Sequence, residues 1–201
     1  MKETLITILR NRTTNTVEFR RAAHKIGYIL ASEAAAYLHP EAVTVETPLA
    51  KTSGRLYKNR VILVPVLRAG LALLSTFLHF FDDALVGMLG VERNEETAQG
   101  HGYFQKLPKL QTCDDVLLLD PMIATGGTGV LAIERLLERG ASEERITYIS
   151  VISAPEGLEL VKKKYPKINV VTAQVDESLN AKRFILPGLG DFGDRYYGTL
   201  E

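Results

Sequence analysis

The chain has 201 residues, 46% of them hydrophobic and 24% charged, with 24 Lys and Arg against 24 Asp and Glu. That length suits one sizeable domain, and cancelling charges leave no net field to favour nucleic acid or an anionic membrane. One cysteine, Cys113, excludes an intrachain disulfide and fits a reducing compartment; a single Cys with four scattered His argues against structural zinc, and no apolar run approaches a membrane span.

Met1–Arg10 has no long apolar core or small-residue cleavage pattern, so a cytoplasmic protein is expected. Asn15 followed by Glu18 suits a helix N-cap and its reciprocal partner. Phe19, Ala22, Ala23, Ile26 and Leu30 then recur at helical spacing, giving a first helix from about Thr16 to Leu38, closed by Pro40. Ala42–Glu46 alternates like a strand, and Pro48 through Lys58 reads as a loop or hairpin tip. Arg60–Val66 is a buried strand leading through Arg68, Ala69 and Gly70 into an apolar helix to about Phe81. Ala84–Val91 is another strand. Residues 94–109 are polar with no sustained period, and a loop of that length inside a domain is usually a functional lid or a binding hairpin.

The remainder alternates. Strand Val116–Leu119 precedes helix Thr128–Arg139 with Gly140 as C-cap; strand Ile146–Ile152, helix Pro155–Lys164 and strand Ile168–Gln174 follow. Such alternation predicts right-handed crossovers and an α/β fold, its mostly parallel sheet flanked by helices on both faces. Ligands in such sheets sit beyond the carboxyl ends of the strands, where Arg68 and Asp120 both fall. Arg183–Gly198, rich in Gly and aromatics, is expected to be irregular and to cover that crevice as a hood spanning about 183–201.

Val116–Gly129 carries the densest chemical signal. An apolar run ends in a carboxylate, Asp120, and small residues with two threonine hydroxyls follow just before a helix. At such a turn successive backbone N–H groups can converge on an anion, and the helix adds its positive dipole end. No Lys follows the glycines, so this is not a Walker A loop, nor is it a Gly-x-Gly-x-x-Gly turn. Alone, the stretch reads either as a phosphate cradle or as a plain strand–turn–helix corner.

Asp120, Pro121, Met122, Ile123, Ala124, Thr125, Gly126, Gly127 and Thr128 resemble the 5-phosphoribosyl 1-diphosphate (PRPP) motif of the uracil phosphoribosyltransferase family. Most other phosphoribosyltransferases carry a second acid where this chain has Pro121. Three further blocks resemble the same family in the same order: Val64–Gly70, Arg93–Thr97 with Tyr103–Leu107, and Pro187–Asp194. The resemblance implies a type I phosphoribosyltransferase fold over residues 1–201, with a mobile lid hairpin. It also implies transfer of the phosphoribosyl group from PRPP to N1 of uracil, forming uridine monophosphate (UMP) and pyrophosphate. Mg²⁺ accompanying the pyrophosphate and a homodimer or homotetramer are implied as well.

Within that resemblance, Asp120 accepts hydrogen bonds from ribose hydroxyls and Thr125–Thr128 hold the 5′-phosphate. Arg68 and Arg93 grip the pyrophosphate, a task suited to the guanidinium fork. Ile185, Gly190, Asp191 and Phe192 correspond to the uracil pocket, with backbone near Gly190 reading the base. Asp191 faces PRPP, through Mg²⁺ and its waters. Catalytic roles are thus implied for Arg68, Asp120 and Asp191, with no general base evident. Asp194 is expected to cap a turn and Asp191 not to. Phe192, often Ala in the family, either narrows the base pocket or packs on Tyr196 or Tyr197. Glycines at 100 and 102 replace the usual prolines of the lid. The competing functions are transfer to a purine or orotate, and a regulator of this fold that binds nucleotides and RNA.

Overall fold

The computed structural model describes residues 1–93 and 100–199, the side chains at 92–93 and 100–102 excepted. The chain opens with α1 (Lys2–Arg10) and α2 (Thr16–Ala34), the latter tightening into a 3-10 turn at Ala35–Tyr37. β1 (Glu41–Glu46) and β2 (Lys51–Leu56) form an antiparallel arm. Next come β3 (Val61–Leu67), α3 (Leu71–Phe80), β4 (Leu85–Val86), β5 (Met88–Arg93) and β6 (Gly100–Lys106). They are followed by β7 (Asp115–Leu119), β8 (Met122–Ile123), α4 (Gly127–Glu138), β9 (Ile146–Ser153), α5 (Pro155–Lys164) and β10 (Asn169–Val175). The tail holds β11 (Ser178–Leu179), β12 (Ile185–Leu186) and α6 (Phe192–Tyr197).

An eight-stranded sheet runs in the order β10-β9-β7-β3-β5-β6, with β4 paired to β3 and β8 to β9. Every pairing in it is parallel except β5 with β6. β3, β7 and β9 are buried almost throughout. Strands covered on both faces have no solvent side, which is why these read as near-continuous Val, Leu and Ile runs. Alternate residues serve opposite layers. Leu63, Leu117, Leu119 and Ile149 pack with residues of α1, α2 and α3. Ile62, Val64, Val116, Leu118 and Tyr148 pack with residues of α4 and α5. From β3 the chain steps one way to β5 and then returns to build β7, β9 and β10 on the other side. The switch point, where ligands bind in such sheets, therefore lies between the carboxyl ends of β3 and β7. No helix among the described residues is long and apolar enough to cross a membrane.

Local signals explain most boundaries. Asn15 Oδ1 accepts the Glu18 amide at 3.0 Å, starting α2. The predicted face of that helix (Phe19, Ala22, Ala23, Ile26, Leu30) is buried. It ends in α-geometry at Ala34 rather than Leu38, its last turn tightening before Pro40. Gly140, at φ +103°, closes α4, and Pro155 opens α5.

Three expectations are corrected, and one helix, α1, is additional: it forms because Leu5, Ile6 and Leu9 are buried against the core. The Pro48–Lys58 stretch contains a full strand, β2, registered against β1. The strand foreseen over Ala84–Val91 breaks at Gly87, whose amide bonds Leu63 O at 2.9 Å. The tail is not irregular: α6 is a short helix, capped by Asp191 and ended by Gly198. It is held from below by the buried Arg195, whose guanidinium donates to Leu189 O and Asn11 O at 2.7 Å and to Leu9 O. Such satisfied bonds are what allow a cation to be buried there.

Candidate active site

The cradle lies where β8 turns into α4. Gly126 sits at φ +80°, and a Cβ there would meet Gly157 O at 2.6 Å, so backbone conformation and space both require glycine. The backbone amides of residues 125–129 have no acceptor among the described residues, and no side chain caps the helix. Free N–H groups at a helix N-terminus, with the positive dipole end behind them, form an anion site. Thr125 and Thr128 are partly exposed, leaving their hydroxyls accessible. Pro121 and Ile123 are buried; Pro121 O accepts the Val151 and Ile152 amides, anchoring the turn to β9. Met122, Ile123 and Ala124 thus set the loop's position.

Asp120 stands at the end of β7, 8% exposed, its amide bonded to Ile149 O at 3.1 Å. Burial pushes its carboxyl up to about 6, against lowering by the Tyr148 hydroxyl and the Met122 amide. Tyr148 Oη donates to Asp120 Oδ2 at 2.9 Å. No cation pairs with this carboxylate among the described residues. Among the described residues the Tyr148 hydroxyl is the side chain bonded to this carboxylate, and lone-pair sites remain free to accept.

The turn after β3 lies against the same corner: a Cβ on Gly70 would sit 2.3 Å from Leu119 O. Arg68 projects from this turn with its side chain 66% exposed, its guanidinium 3.6 Å from Asp194. The hood meets that turn directly. Tyr197 Oη donates to Arg68 O at 3.2 Å, and a Cβ on Gly193 would contact Ala69 at 3.6 Å. Arg68, Asp120, the cradle and the hood therefore border one crevice at the switch point.

Inside the hood one expectation changes. Asp191, not Asp194, is the cap: its Oδ1 accepts the Asp194 amide at 2.8 Å. Asp194 instead accepts from Thr199 at 2.7 Å and faces Arg68. Of the two alternatives for Phe192 the structure has the second, packing on Tyr196: the ring is fully buried, 5.1 Å from the Phe19 ring centroid and stacked at 6.1 Å on Tyr196. Ile185 is likewise a core side chain. What this segment offers to a ligand is therefore backbone. Gly190, exposed and at φ +81°, has neither its N–H nor its C=O bonded among the described residues.

The side chain of Arg93 and residues 94–99 lie outside the described residues. The rest of the lid stretch contains β6, paired antiparallel with β5 as a hairpin. Tyr148 is the residue sequence reasoning missed. A polar-tipped aromatic inside a fully buried strand has to find a partner, and that signal could have found it.

The family model described as uracil phosphoribosyltransferase matches residues 2–199. A relative from Campylobacter concisus, named uracil phosphoribosyltransferase, is 43% identical over 195 residues, covering 97% of this chain and 93% of its own. The AQ2163 protein from Aquifex aeolicus superposes with a TM-score of 0.87 at 35% identity, covering 98% of this chain and 93% of the other. A purine phosphoribosyltransferase from Pyrococcus horikoshii, at TM-score 0.52, 16% identity and coverage of 78% and 84%, shares the fold alone. The architecture is that of type I phosphoribosyltransferases, and this chain belongs to the uracil phosphoribosyltransferase family.

Proposed function

We propose that this chain transfers the phosphoribosyl group of PRPP to N1 of uracil, releasing pyrophosphate and forming UMP. The observation that carries this reading is the row of amides at residues 125–129 beside the Asp120 carboxylate, the former with no acceptor and the latter with no cation among the described residues. Breaking the anomeric bond builds positive charge on the ribose and negative charge on the departing pyrophosphate. Catalysis of such a step is mostly positioning and electrostatic stabilisation. Thr125, Gly126, Gly127 and Thr128 hold the 5′-phosphate, Asp120 accepts from the ribose hydroxyls, and Arg68 swings from Asp194 to the pyrophosphate. Arg93 is a second cation for that group. Backbone around Gly190 reads the uracil edge, with Ile185 and Phe192 fixing the hood from within.

Mg²⁺ belongs to this reading through its substrate. Among the described residues no three His, Cys, Asp or Glu side chains gather to hold a metal ion. The donor set fits an ion held chiefly by diphosphate oxygens and water, with the exposed Asp191 reaching those waters. Bound so, the ion would neutralise charge on the leaving group. We place the activity in the cytoplasm, in an assembly of two or four copies. The apolar face of α2 is spent on its own core, so exposed Tyr103, Phe104 and Leu56 are the better assembly surfaces.

Purified protein mixed with PRPP, Mg²⁺ and uracil should yield UMP and pyrophosphate. Competition by hypoxanthine or orotate should leave that product unchanged. Preferential consumption of either competitor would redirect the reading to another base.

A further inference from the structure

β9 carries an aromatic hydroxyl into the layer beneath α4. Tyr148 is 1% exposed. A Cβ on Gly129 would fall 2.3 Å from its ring, so the first turn of α4 has a notch that the ring fills. Parallel register sets Tyr148 opposite Leu118, two residues before Asp120, and the ring spans the remaining distance to Oδ2. Burial and the neighbouring carboxylate push the phenol well above its ordinary value, so it keeps its proton and donates.

We propose that Tyr148 is a positioning residue for the transfer: seated in the Gly129 notch, its hydroxyl holds Oδ2 of Asp120 and aims the free lone pairs at the ribose hydroxyls of PRPP. This rests on the ribose role of Asp120 given above. An isolated buried carboxylate would take up a proton and become a donor, the wrong partner for a hydroxyl already donating. The phenol opposes that and fixes one rotamer. The ionisable groups nearest this corner include Arg68 after β3, Tyr148 on β9, Glu156 on α5, and Asp191, Asp194 and Tyr197 in the hood; those of α4, Glu134, Arg135 and Glu138, lie in its later turns, beyond the Gly129 notch. Arg68 and Asp194 face each other, Asp191 caps α6, and Glu156 accepts the Leu179 amide. Among the described residues Tyr148 is thus the one ionisable side chain on Asp120.

Tyr148→Phe keeps the ring in its notch and deletes the donor. Its kcat/KM for PRPP, profiled from about pH 5 to about pH 9, should show the acid limb moved up by about one pH unit. The loss should be about tenfold below the limb and small above pH ~8, with KM for uracil unchanged. Gly129→Ala, which crowds the ring but leaves the hydroxyl, should move the limb the same way. An equal loss at every pH, or a profile superimposed on wild type in both variants, overturns the proposal. Asp120→Asn, run alongside, separates the two ideas. If it retains wild-type kcat/KM for PRPP, the ribose role itself fails; if it loses activity while the Tyr148→Phe limb stays put, only the Tyr148 role fails.

Discussion

The two ends of β7 treat buried carboxylates in opposite ways. At the start of the strand, Asp114 takes Arg60 bidentately at 2.8 and 2.5 Å and the Gln111 amide at 2.7 Å. Asp115 beside it takes His39 Nδ1 at 2.7 Å, the His39 amide at 3.2 Å and Arg145 at 3.1 Å. Each of these charges is compensated within the fold. At the other end, among the described residues, Asp120 is buried without a cation, next to amides with no acceptor. Burying a charge without pairing it is costly. One strand thus carries a structural clamp at its amino end and, at its carboxyl end, groups whose missing partners a phosphorylated sugar would supply.

Substitutions at the two ends should sharpen this contrast. The largest effect is expected at Arg68. Removing a preorganised donor costs on the order of 100- to 1000-fold in rate, so Arg68→Ala should lower steady-state turnover by that factor. Its melting temperature should stay near wild type, because the side chain is exposed and its 3.6 Å ion pair is solvent-screened. Near-wild-type turnover would remove Arg68 from the scheme.

Asp120→Asn should separate function from stability. The folded carboxyl titrates at about 6 against an ordinary value of 3.8. The native state therefore binds more protons between those values, and stability of the unliganded chain falls as pH rises through that window. An amide escapes this cost. The variant should be more stable than wild type by up to about 3 kcal/mol above pH ~7, and the gain should vanish toward pH ~4 in chemical denaturation. Loss of PRPP use with no gain in stability would contradict the idea of an uncompensated charge. By the same sign, wild-type kcat/KM for PRPP should fall as pH drops through about 6, where Asp120 gains its proton.

Asp114→Ala tests the opposite end. It leaves the Gln111 amide without its acceptor and the Arg60 guanidinium with Lys109 O and water, so the melting temperature should fall. Turnover per folded molecule should not change. A selective loss of turnover would show that the clamp reaches the site.

What the sequence disclosed follows from how locally each feature is encoded. β7, the free turn and α4 were legible because a buried apolar run, a carboxylate and small residues adjoin in one stretch, Asp115–Glu138. α5 was bounded to the residue, with Pro155 marking its start. α1 and α6 were not legible; each is short and held by distant partners, Arg195 reaching from the tail to Leu9 and Asn11. Short helices owe their existence to packing rather than propensity. The exchange of roles between Asp191 and Asp194 depends on where α6 begins, which no local pattern marks. Tyr148 was hidden because strand register, not spacing along the chain, brings it to Asp120.

The most direct measurement is a crystal structure of this chain grown with PRPP and Mg²⁺. The 5′-phosphate should lie against the amides of residues 125–128, with a ribose hydroxyl on Asp120. A phosphate seated elsewhere, with those amides facing only solvent, would contradict the account at its root.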